Sequence, residues 1–162
     1  MARYVVPALP RPGILATYAA IGDEIRPEAI EARAVALGWT LAFPRVTKDA
    51  PLSFHLAARA DLHAGVLGIP EPPASLPVAT PDALLVPLLA ADLRGNRLGQ
   101  GGGYYDRSLA LLRLQGPTLA IGIAWDAQIV DHITTQRWDE PLDALATPTA
   151  FHAFNLAAKA RA

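Results

Sequence analysis

Cysteine is missing from this sequence of 162 residues, so disulfide bonds and thiolate metal sites are excluded. A run of about 18 uninterrupted apolar residues, the length that spans a bilayer, is missing as well. The first residues, 1–7, lack the apolar core of a signal peptide. We therefore expect a cytoplasmic protein with no membrane partner.

An excess of charge of one sign is also missing, because the formal net charge is only −1 at pH 7. Such a balance offers no basic surface for nucleic acid, which we do not expect as a partner. Most of the cations are arginine, a residue that favours two-point contacts with phosphate or carboxylate groups. The four histidines have no metal-ligand spacing and are expected to be surface or core residues.

The hydrophobic content is 52% and the mean hydropathy is +0.24, which argues against a disordered chain. A chain of this length is typical of one compact domain, and we expect residues 1–162 to form it. Within it, 1–12 is expected to be an irregular N-terminal segment. The alanine-rich tail at 150–162 favours a helix.

Apolar runs alternate with helical patterns, which predicts a three-layer α/β/α domain with a central, mostly parallel sheet. The first helix should bury Ile30, Ala34 and Leu37 on one face. Five prolines make the segment 68–81 a long ordered surface loop. Helices are expected at 27–37, 104–114 and 125–132, and strands at 13–18, 39–43, 83–89, 118–123, 142–147 and, at the sheet edge, 52–56.

The segment from Arg94 to Arg107 combines glycine and charge more densely than any other part of the chain. Gly101–Gly103 lack a Cβ, so their backbone can adopt positive φ and present N–H groups to a ligand such as phosphate. Arg97 and Arg107 add positive charge, and Asp106 supplies a hard oxygen suited to Mg²⁺. The same residues would also suit an ordinary turn, and neither a P-loop nor a full dinucleotide fingerprint is present.

The run from Asp82 to Leu109 resembles the signature of the 5-formyltetrahydrofolate cyclo-ligase family. A strand of the type Asp-Leu-Leu-Leu-Val-Pro corresponds to 82–87, and the motif Arg-Leu-Gly-x-Gly-Gly-Gly-Tyr-Tyr-Asp-Arg corresponds to 97–107. Three further blocks agree in order, at 22–25, 48–52 and 68–72. The similarity extends over residues 13–148.

This resemblance implies the ATP-dependent conversion of 5-formyltetrahydrofolate to 5,10-methenyltetrahydrofolate with Mg²⁺. Reduced folate and ATP are then the small-molecule partners, and the protein is expected to be a monomer or weak homo-oligomer. ATP would convert the formamide oxygen into a phosphate ester, which N10 of the folate displaces to close the ring. Such a reaction depends on positioning and charge neutralisation rather than on a protein nucleophile.

The resemblance also implies roles for individual residues. Arg97 and Asp106 are the catalytic candidates, and Asp106 and Asp139 are the metal ligands. Glu24 is similar to the carboxylate that binds the pterin, and the middle of the glycine loop also faces the folate, at Gln100, Gly101, Gly102, Gly103 and Tyr104. The whole loop is similar to the ATP-binding segment, which comprises Arg97, Leu98, Gly99, Gln100, Gly101, Gly102, Gly103, Tyr104 and Tyr105.

Three of these residues have an ordinary structural alternative. Asp139 could cap a turn rather than hold a metal ion. Glu24 could be a first-turn charge that interacts favourably with the dipole of a helix. Tyr105 could be a core residue at the start of a helix rather than a stacking surface.

The sequence departs from the family at three positions of the expected pocket. Trp138 stands where the family commonly has histidine, and Leu67 stands where an aromatic residue often lines the folate site. Gln100 replaces a tyrosine or methionine. These differences predict a different substrate preference.

The basic helical segment with which family members usually begin also lacks a counterpart. Only Arg3 and Arg11 lie there, among prolines that disfavour a helix. In an active enzyme Arg45, Lys48 or a partner chain would then supply cations. The alternative is a truncated relative that binds nucleotide or folate without catalysis.

Overall fold

The computed structural model describes residues 1–65 and 68–156, which are organised around an eight-stranded sheet. Two short antiparallel ribbons, β4–β5 and β8–β9, lie outside this sheet. The strands in chain order are β1 Ile14–Ala16, β2 Thr40–Arg45, β3 Ser53–Leu56, β4 His63–Ala64, β5 Pro70–Glu71, β6 Val78–Ala79, β7 Ala83–Pro87, β8 Ala90–Ala91, β9 Arg97–Leu98, β10 Leu119–Ile123, β11 Ala144–Ala146 and β12 Phe151–Ala153.

The strand order in the main sheet is β12-β11-β10-β7-β1-β2-β3-β6. The five central strands, from β11 to β2, are parallel to one another. The outer strands β12, β3 and β6 pair in antiparallel fashion. The predicted α/β class with a mostly parallel central sheet is therefore confirmed.

Within residues 1–65 and 68–156, three α-helices cover the two faces of the sheet: α1 Ala2–Ala8, α2 Glu28–Ala36 and α3 Tyr104–Gln115. Helices α1 and α2 pack on one face, and α3 packs on the other. The sequence of strand β7 is apolar throughout because both faces of the strand are buried. Leu85 contributes to the core cluster on one face of the sheet, and Leu84 and Val86 contribute to the cluster on the other. The three-layer arrangement follows from these two clusters.

The chain changes direction across the sheet between β1 and β7, which are parallel neighbours. From β1 the chain passes through α2 to β2 on one side, whereas from β7 it passes through α3 to β10 on the other. The connections that leave these two strands diverge, and they leave a crevice at the carboxyl ends of the strands. In open α/β sheets such a crevice is the usual place for a ligand.

The two longer predicted helices are present. Helix α2 begins after Pro27, and Gly38 follows its end with a φ of 91°. Leu37, predicted to be buried, is 48% exposed, because it is the C-cap residue and has left the apolar face of the helix. Helix α3 agrees with the prediction to within one residue.

Two local predictions are wrong. The strand at 52–56 is not at the sheet edge, because β6, from the proline-rich segment, pairs with its outer side. The helix at 125–132 is reduced to a 3-10 turn at Asp126–Gln128. It does not continue because the next residues pair with β8, where the Val130 N–H donates to the Ala91 carbonyl at 2.9 Å.

The two chain ends also differ from the expectation. Residues 2–8 form α1 although Pro7 removes one backbone donor from its last turn, because Val5 and Val6 are buried in the core. The tail was predicted to be helical from residue 150, but Phe151–Ala153 pairs with β11 as strand β12. Residues 157–162 lie outside the described part.

Candidate active site

A cleft of about 1030 Å³ opens at the carboxyl ends of β1, β2 and β7. Its volume is at the upper end of the range typical of ligand sites, about 300–1,000 Å³. The cleft lies at the place where the diverging connections from β1 and β7 predict a crevice. Its lining residues come from the segments 18–24, 44–52, 69–71, 87–110 and 133–139.

The glycine loop, residues 99–103, lines this cleft between β9 and α3. Gly101 has a φ of 85° and Gly103, the N-cap of α3, has a φ of 60°, values that residues with a Cβ rarely adopt. No acceptor among the described residues takes a hydrogen bond from the N–H groups of 99–106. These donors, together with the positive end of the α3 dipole, are available to an anion.

Arg97 and Asp106 form an ion pair beneath the loop. The Arg97 Nη2 donates to Asp106 Oδ1 at 2.6 Å, and its Nη1 donates to the Glu140 carbonyl. The Glu140 N–H donates to the same Asp106 Oδ1 at 3.1 Å. Arg97 lines the cleft, but its side chain is only 5% exposed and its guanidinium is engaged in holding Asp106.

The second oxygen of Asp106, Oδ2, accepts no hydrogen bond from any described residue, and the side chain is 24% exposed. Asp139 lines the same cleft one residue before Glu140. Its Oδ2 accepts the Gln136 N–H at 2.7 Å, so the turn role considered from the sequence is present. Its Oδ1 has no hydrogen bond from the described residues, which leaves it available to another ligand.

These two carboxylates suit Mg²⁺ better than they suit a metal ion whose ligands all come from the protein. Within residues 1–65 and 68–156, no group of three or more His, Cys, Asp or Glu side chains could hold a metal ion. Mg²⁺, however, is commonly held by one or two carboxylates, with phosphate oxygens and water as its other ligands. Asp106 and Asp139 each have one free oxygen at the cleft, and that donor set suits such an ion.

Arg107 stiffens the glycine loop from the other side. Its Nη2 donates to the Gly102 carbonyl at 2.9 Å, and its guanidinium carbon lies 5.0 Å from the centre of the Tyr104 ring. Its Nε is buried and has no hydrogen-bond partner among the described residues. Arg107 is thus the cation that remains beside the loop while Arg97 is paired with Asp106.

Glu24 lies on the part of the cleft that follows β1. It is half-buried, and its Oε2 accepts the Ile21 N–H at 3.0 Å. Burial raises the pKa of Glu24, although the Ile21 N–H opposes this shift. The first-turn role considered from the sequence is wrong, because α2 begins only at Glu28.

Tyr105 lies close enough to Glu24 for their charges to interact. Burial, and after it the negative charge of Glu24, raises the pKa of the Tyr105 hydroxyl. The ring also packs against the core cluster that includes Leu109, as the alternative considered from the sequence predicted. Tyr105 therefore lines the cleft and packs on the core at the same time.

Sequence reasoning assigned no role to Glu71, a buried carboxylate on the wall of the cleft. Its Oε1 accepts the Val46 N–H at 3.2 Å, and Arg45 Nη1 lies 3.7 Å from its Oε2. Arg45 also donates to the Pro72 carbonyl, so it fixes the proline-rich segment. Neither Arg45 nor the exposed Lys48 is among the described residues that line the cleft.

The positions that depart from the family are arranged as follows. Trp138 lines the cleft with 62% of its surface exposed, and Gln100 lines it within the glycine loop. Leu67 lies outside the described residues. A large apolar surface thus stands at the mouth of the cleft, next to Asp139.

Comparison with known proteins decides the family. The profile of the 5-formyltetrahydrofolate cyclo-ligase family matches residues 7–148. A cyclo-ligase of Mycolicibacterium smegmatis is 31% identical over 140 residues, which cover 81% of this chain and 71% of that protein. The chain belongs to the 5-formyltetrahydrofolate cyclo-ligase family.

Other cyclo-ligases match over a shorter segment. The enzyme of Escherichia coli K12 is 43% identical over 74 residues, which cover 46% of this chain and 40% of that protein. The cyclo-ligase of Haemophilus influenzae is 43% identical over 67 residues, or 35% of its length. The matched segments thus span less than half of these two relatives.

Solved structures agree with the family assignment. The 5,10-methenyltetrahydrofolate synthetase of Aquifex aeolicus superposes with a TM-score of 0.70 at 26% identity and covers 94% of this chain and 80% of its own. The synthetase of Mycoplasma pneumoniae, at 23% identity and a TM-score of 0.66, supports the fold alone. None of the helices in the described residues is long and apolar enough to cross a bilayer.

Proposed function

We propose that this cyclo-ligase family member catalyses the ATP- and Mg²⁺-dependent cyclisation of 5-formyltetrahydrofolate to 5,10-methenyltetrahydrofolate. The observation that carries the proposal is one cleft, large enough for two ligands, lined by the glycine loop, Asp106 and Glu24. These residues supply anion donors, a free carboxylate oxygen and a half-buried acid, which are the groups that the reaction needs.

The glycine loop and the start of α3 bind the triphosphate of ATP in this proposal. The free N–H groups of 99–106 would donate to phosphate oxygens, and no side chain needs to reorganise for this. Arg107 adds positive charge beside the loop. Arg97 acts indirectly, because it fixes the carboxylate of Asp106 in one orientation.

Asp106 and Asp139 would hold Mg²⁺ through their free oxygens, and the ion would neutralise charge on the phosphates. The Glu140 N–H and Arg97 both bind Asp106 Oδ1, so Oδ2 is the oxygen left for the ion. The Gln136 N–H occupies one oxygen of Asp139 in the same way. The protein thus orients both carboxylates before any ligand binds.

Glu24 binds the pterin in this proposal. An ionised carboxylate can accept two N–H donors from the 2-amino-4-oxo ring, and the half-buried position of Glu24 strengthens such bonds. The Ile21 N–H keeps the carboxylate oriented. Tyr104 and Gln100, which line the cleft, would contact the folate between the pterin and the phosphates.

The chemistry then needs orientation rather than a protein nucleophile. The formyl oxygen takes the γ-phosphoryl group of ATP, and ADP leaves. N10 attacks the formyl carbon, the bond from that carbon to the phosphorylated oxygen breaks, phosphate leaves and N10 loses its proton to solvent. Holding both substrates in one cleft makes the phosphoryl transfer effectively intramolecular, an effect that can lower a barrier by about 7–11 kcal/mol. The ring closure joins two groups of the same folate, so there the cleft has only to hold N10 close to the formyl carbon.

A second function is favoured by one observation, namely the state of Arg97. Its guanidinium is buried and paired, so it offers no free charge to a phosphate. A relative with this arrangement could bind nucleotide or folate without turning them over. The second function predicts binding of a ligand without formation of methenyltetrahydrofolate.

The experiment that separates the two functions combines turnover with binding. The purified protein is mixed with 5-formyltetrahydrofolate, ATP and Mg²⁺, and the absorbance of methenyltetrahydrofolate is followed. Binding of each substrate alone is measured by calorimetry. Product formation supports the cyclo-ligase; binding without product selects the second function, and neither binding nor product contradicts both.

A further inference from the structure

Trp125 links two segments that are distant in sequence. Its indole Nε1 donates to the Asp23 carbonyl at 2.8 Å, across 102 positions of the chain. Asp23 precedes Glu24 in the turn after β1. Trp125 is 47% exposed and is not among the described residues that line the cleft; together with residues 22–26 it lines a second, more open depression on the far side of the turn from the cleft.

Gln128 extends this connection to the other wall of the cleft. Its Oε1 accepts the Trp125 N–H at 2.7 Å. Its Nε2 donates to the carbonyls of Leu88 and Leu89, at 2.8 and 3.1 Å. The Leu89 N–H in turn donates to the carbonyl of Leu98, the residue before the glycine loop, at 2.8 Å. We call the segment Trp125–Gln128 the brace.

The brace joins the Glu24 turn to the other wall of the cleft. The other hydrogen bonds of residues 19–25 are local: Glu24 with Ile21, and the Tyr18 hydroxyl with the Ile25 carbonyl. Tyr18, at the start of the turn, is itself held by Arg59, whose Nη2 donates to the Tyr18 carbonyl at 3.1 Å. Among the described residues, the bond from Trp125 is the one hydrogen bond that links residues 19–25 to the opposite wall of the cleft. Gly22 has a φ of 54°, and the turn around it belongs to no helix or strand.

We propose that Trp125 is a positioning residue that fixes Glu24 relative to the glycine loop. This inference rests on the proposed function, in which Glu24 binds the pterin. Without the indole N–H, Glu24 would still be present but would no longer be held at a fixed distance from the site of phosphoryl transfer. Folate binding should weaken, and ATP binding should not change.

The variant Trp125→Phe tests this role, because it removes the N–H and keeps an aromatic ring. We expect the KM for 5-formyltetrahydrofolate to rise about fivefold or more, with kcat and the KM for ATP within about twofold of wild type. The matched control is Thr149→Val. Thr149 donates to Asp126 Oδ1 in the same 3-10 turn at 2.5 Å but does not touch the Glu24 turn, so its kinetics should stay at the wild-type level.

A double-mutant cycle separates positioning from a general structural effect. If Trp125 acts through Glu24, adding Trp125→Phe to Glu24→Gln should change the folate KM by less than about twofold. Additive effects, an unchanged folate KM in Trp125→Phe, or a variant that fails to fold would each overturn the positioning role. An inactive wild type that binds no folate would instead refute the proposed function, and the role of Trp125 with it.

Discussion

Asp106 is the residue on which the site depends most, because its two oxygens have different tasks. One oxygen accepts hydrogen bonds from Arg97 and from the Glu140 N–H, and the other is free at the cleft. The sequence identified Asp106 through its position after the glycines, as a hard oxygen beside cations. The sequence did not indicate that Arg97 forms an ion pair with Asp106. This pairing depends on how the β8–β9 ribbon folds back against α3, which no local pattern reveals.

This pairing changes what a substitution of Asp106 should do. Alanine would leave the nearly buried Arg97 guanidinium without its partner, at a cost of about 3–5 kcal/mol, whereas asparagine keeps an oxygen acceptor of the same shape. We expect Asp106→Asn to lower kcat about 100-fold or more with little change in Tm. Asp106→Ala should lower both. Initial rates and thermal melts of the two variants check this, and near-normal turnover in Asp106→Asn would refute the role in catalysis.

Glu24 gives a prediction for pH. Because burial raises its pKa in the folded protein, Glu24 contributes most to stability at low pH, and that contribution is lost as pH rises through the raised pKa. Glu24→Gln should therefore raise Tm at pH 7 and give no such gain at pH 4. Folate binding should have the opposite pH dependence, because the pterin needs the ionised carboxylate of Glu24.

The same variant should weaken folate binding about tenfold at pH 7 and leave ATP binding unchanged. In the wild type, folate affinity should fall as pH is lowered through the pKa of Glu24, and this fall should be missing in the variant. Calorimetry at several pH values measures both. An effect on ATP affinity alone would show that the proposed orientation of the ligands in the cleft is wrong.

The element that carries the glycine loop is the β8–β9 ribbon, and its turn is organised by the buried Asp92. Its carboxylate accepts the N–H groups of Arg94 and Asn96 and the side-chain amide of Asn96. It also accepts the Ile133 N–H at 3.1 Å, which ties the ribbon to the segment that leads to Asp139. One side chain therefore fixes two parts of the cleft wall.

Asp92→Ala should destabilise the protein by about 1–3 kcal/mol, because it leaves several buried donors without an acceptor. Burial disfavours the charged form, but the hydrogen bonds from Asn96, Arg94 and Ile133 together hold the pKa of Asp92 below its ordinary value. The stability that Asp92 contributes is present above the unfolded-state pKa and is lost as pH falls through the folded one. Denaturant melts at pH 7 and pH 3 check this; an equal difference at both pH values would contradict it.

For helices, strands and turns, local sequence signals predicted most of the regular elements and few of the irregular ones. The strands at 83–89 and 118–123 and the helix at 104–114 are long apolar or amphipathic runs, so pattern alone located them. The helix predicted at 125–132 failed because the pairing of Val130 with β8 is a non-local contact that no local pattern reveals. The turn that follows Asp92 was considered from the sequence, but the role of Asp92 was missed for the same reason, because its bond from the Ile133 N–H is non-local.

For the whole molecule, the position of the cleft follows from the strand order, in which the connections from β1 and β7 diverge. The sequence indicated α/β alternation, but it could not give this order, because which strands pair is decided by packing of the complete sheet. Candidate residues from distant segments, Glu24, Gly101, Asp106 and Asp139, nevertheless lie on one cleft. The single-domain organisation of residues 1–162 and the roles of these residues stay predictions.

The most direct test of the central claim is the stoichiometry of the reaction in the wild-type protein. Methenyltetrahydrofolate is followed by absorbance, and released phosphate is measured in the same sample, with Mg²⁺ and each substrate omitted in turn. The cleft as described predicts one phosphate for each methenyltetrahydrofolate formed, and neither product when ATP or Mg²⁺ is left out. Binding of both substrates without either product, or methenyltetrahydrofolate formed without ATP, would contradict it.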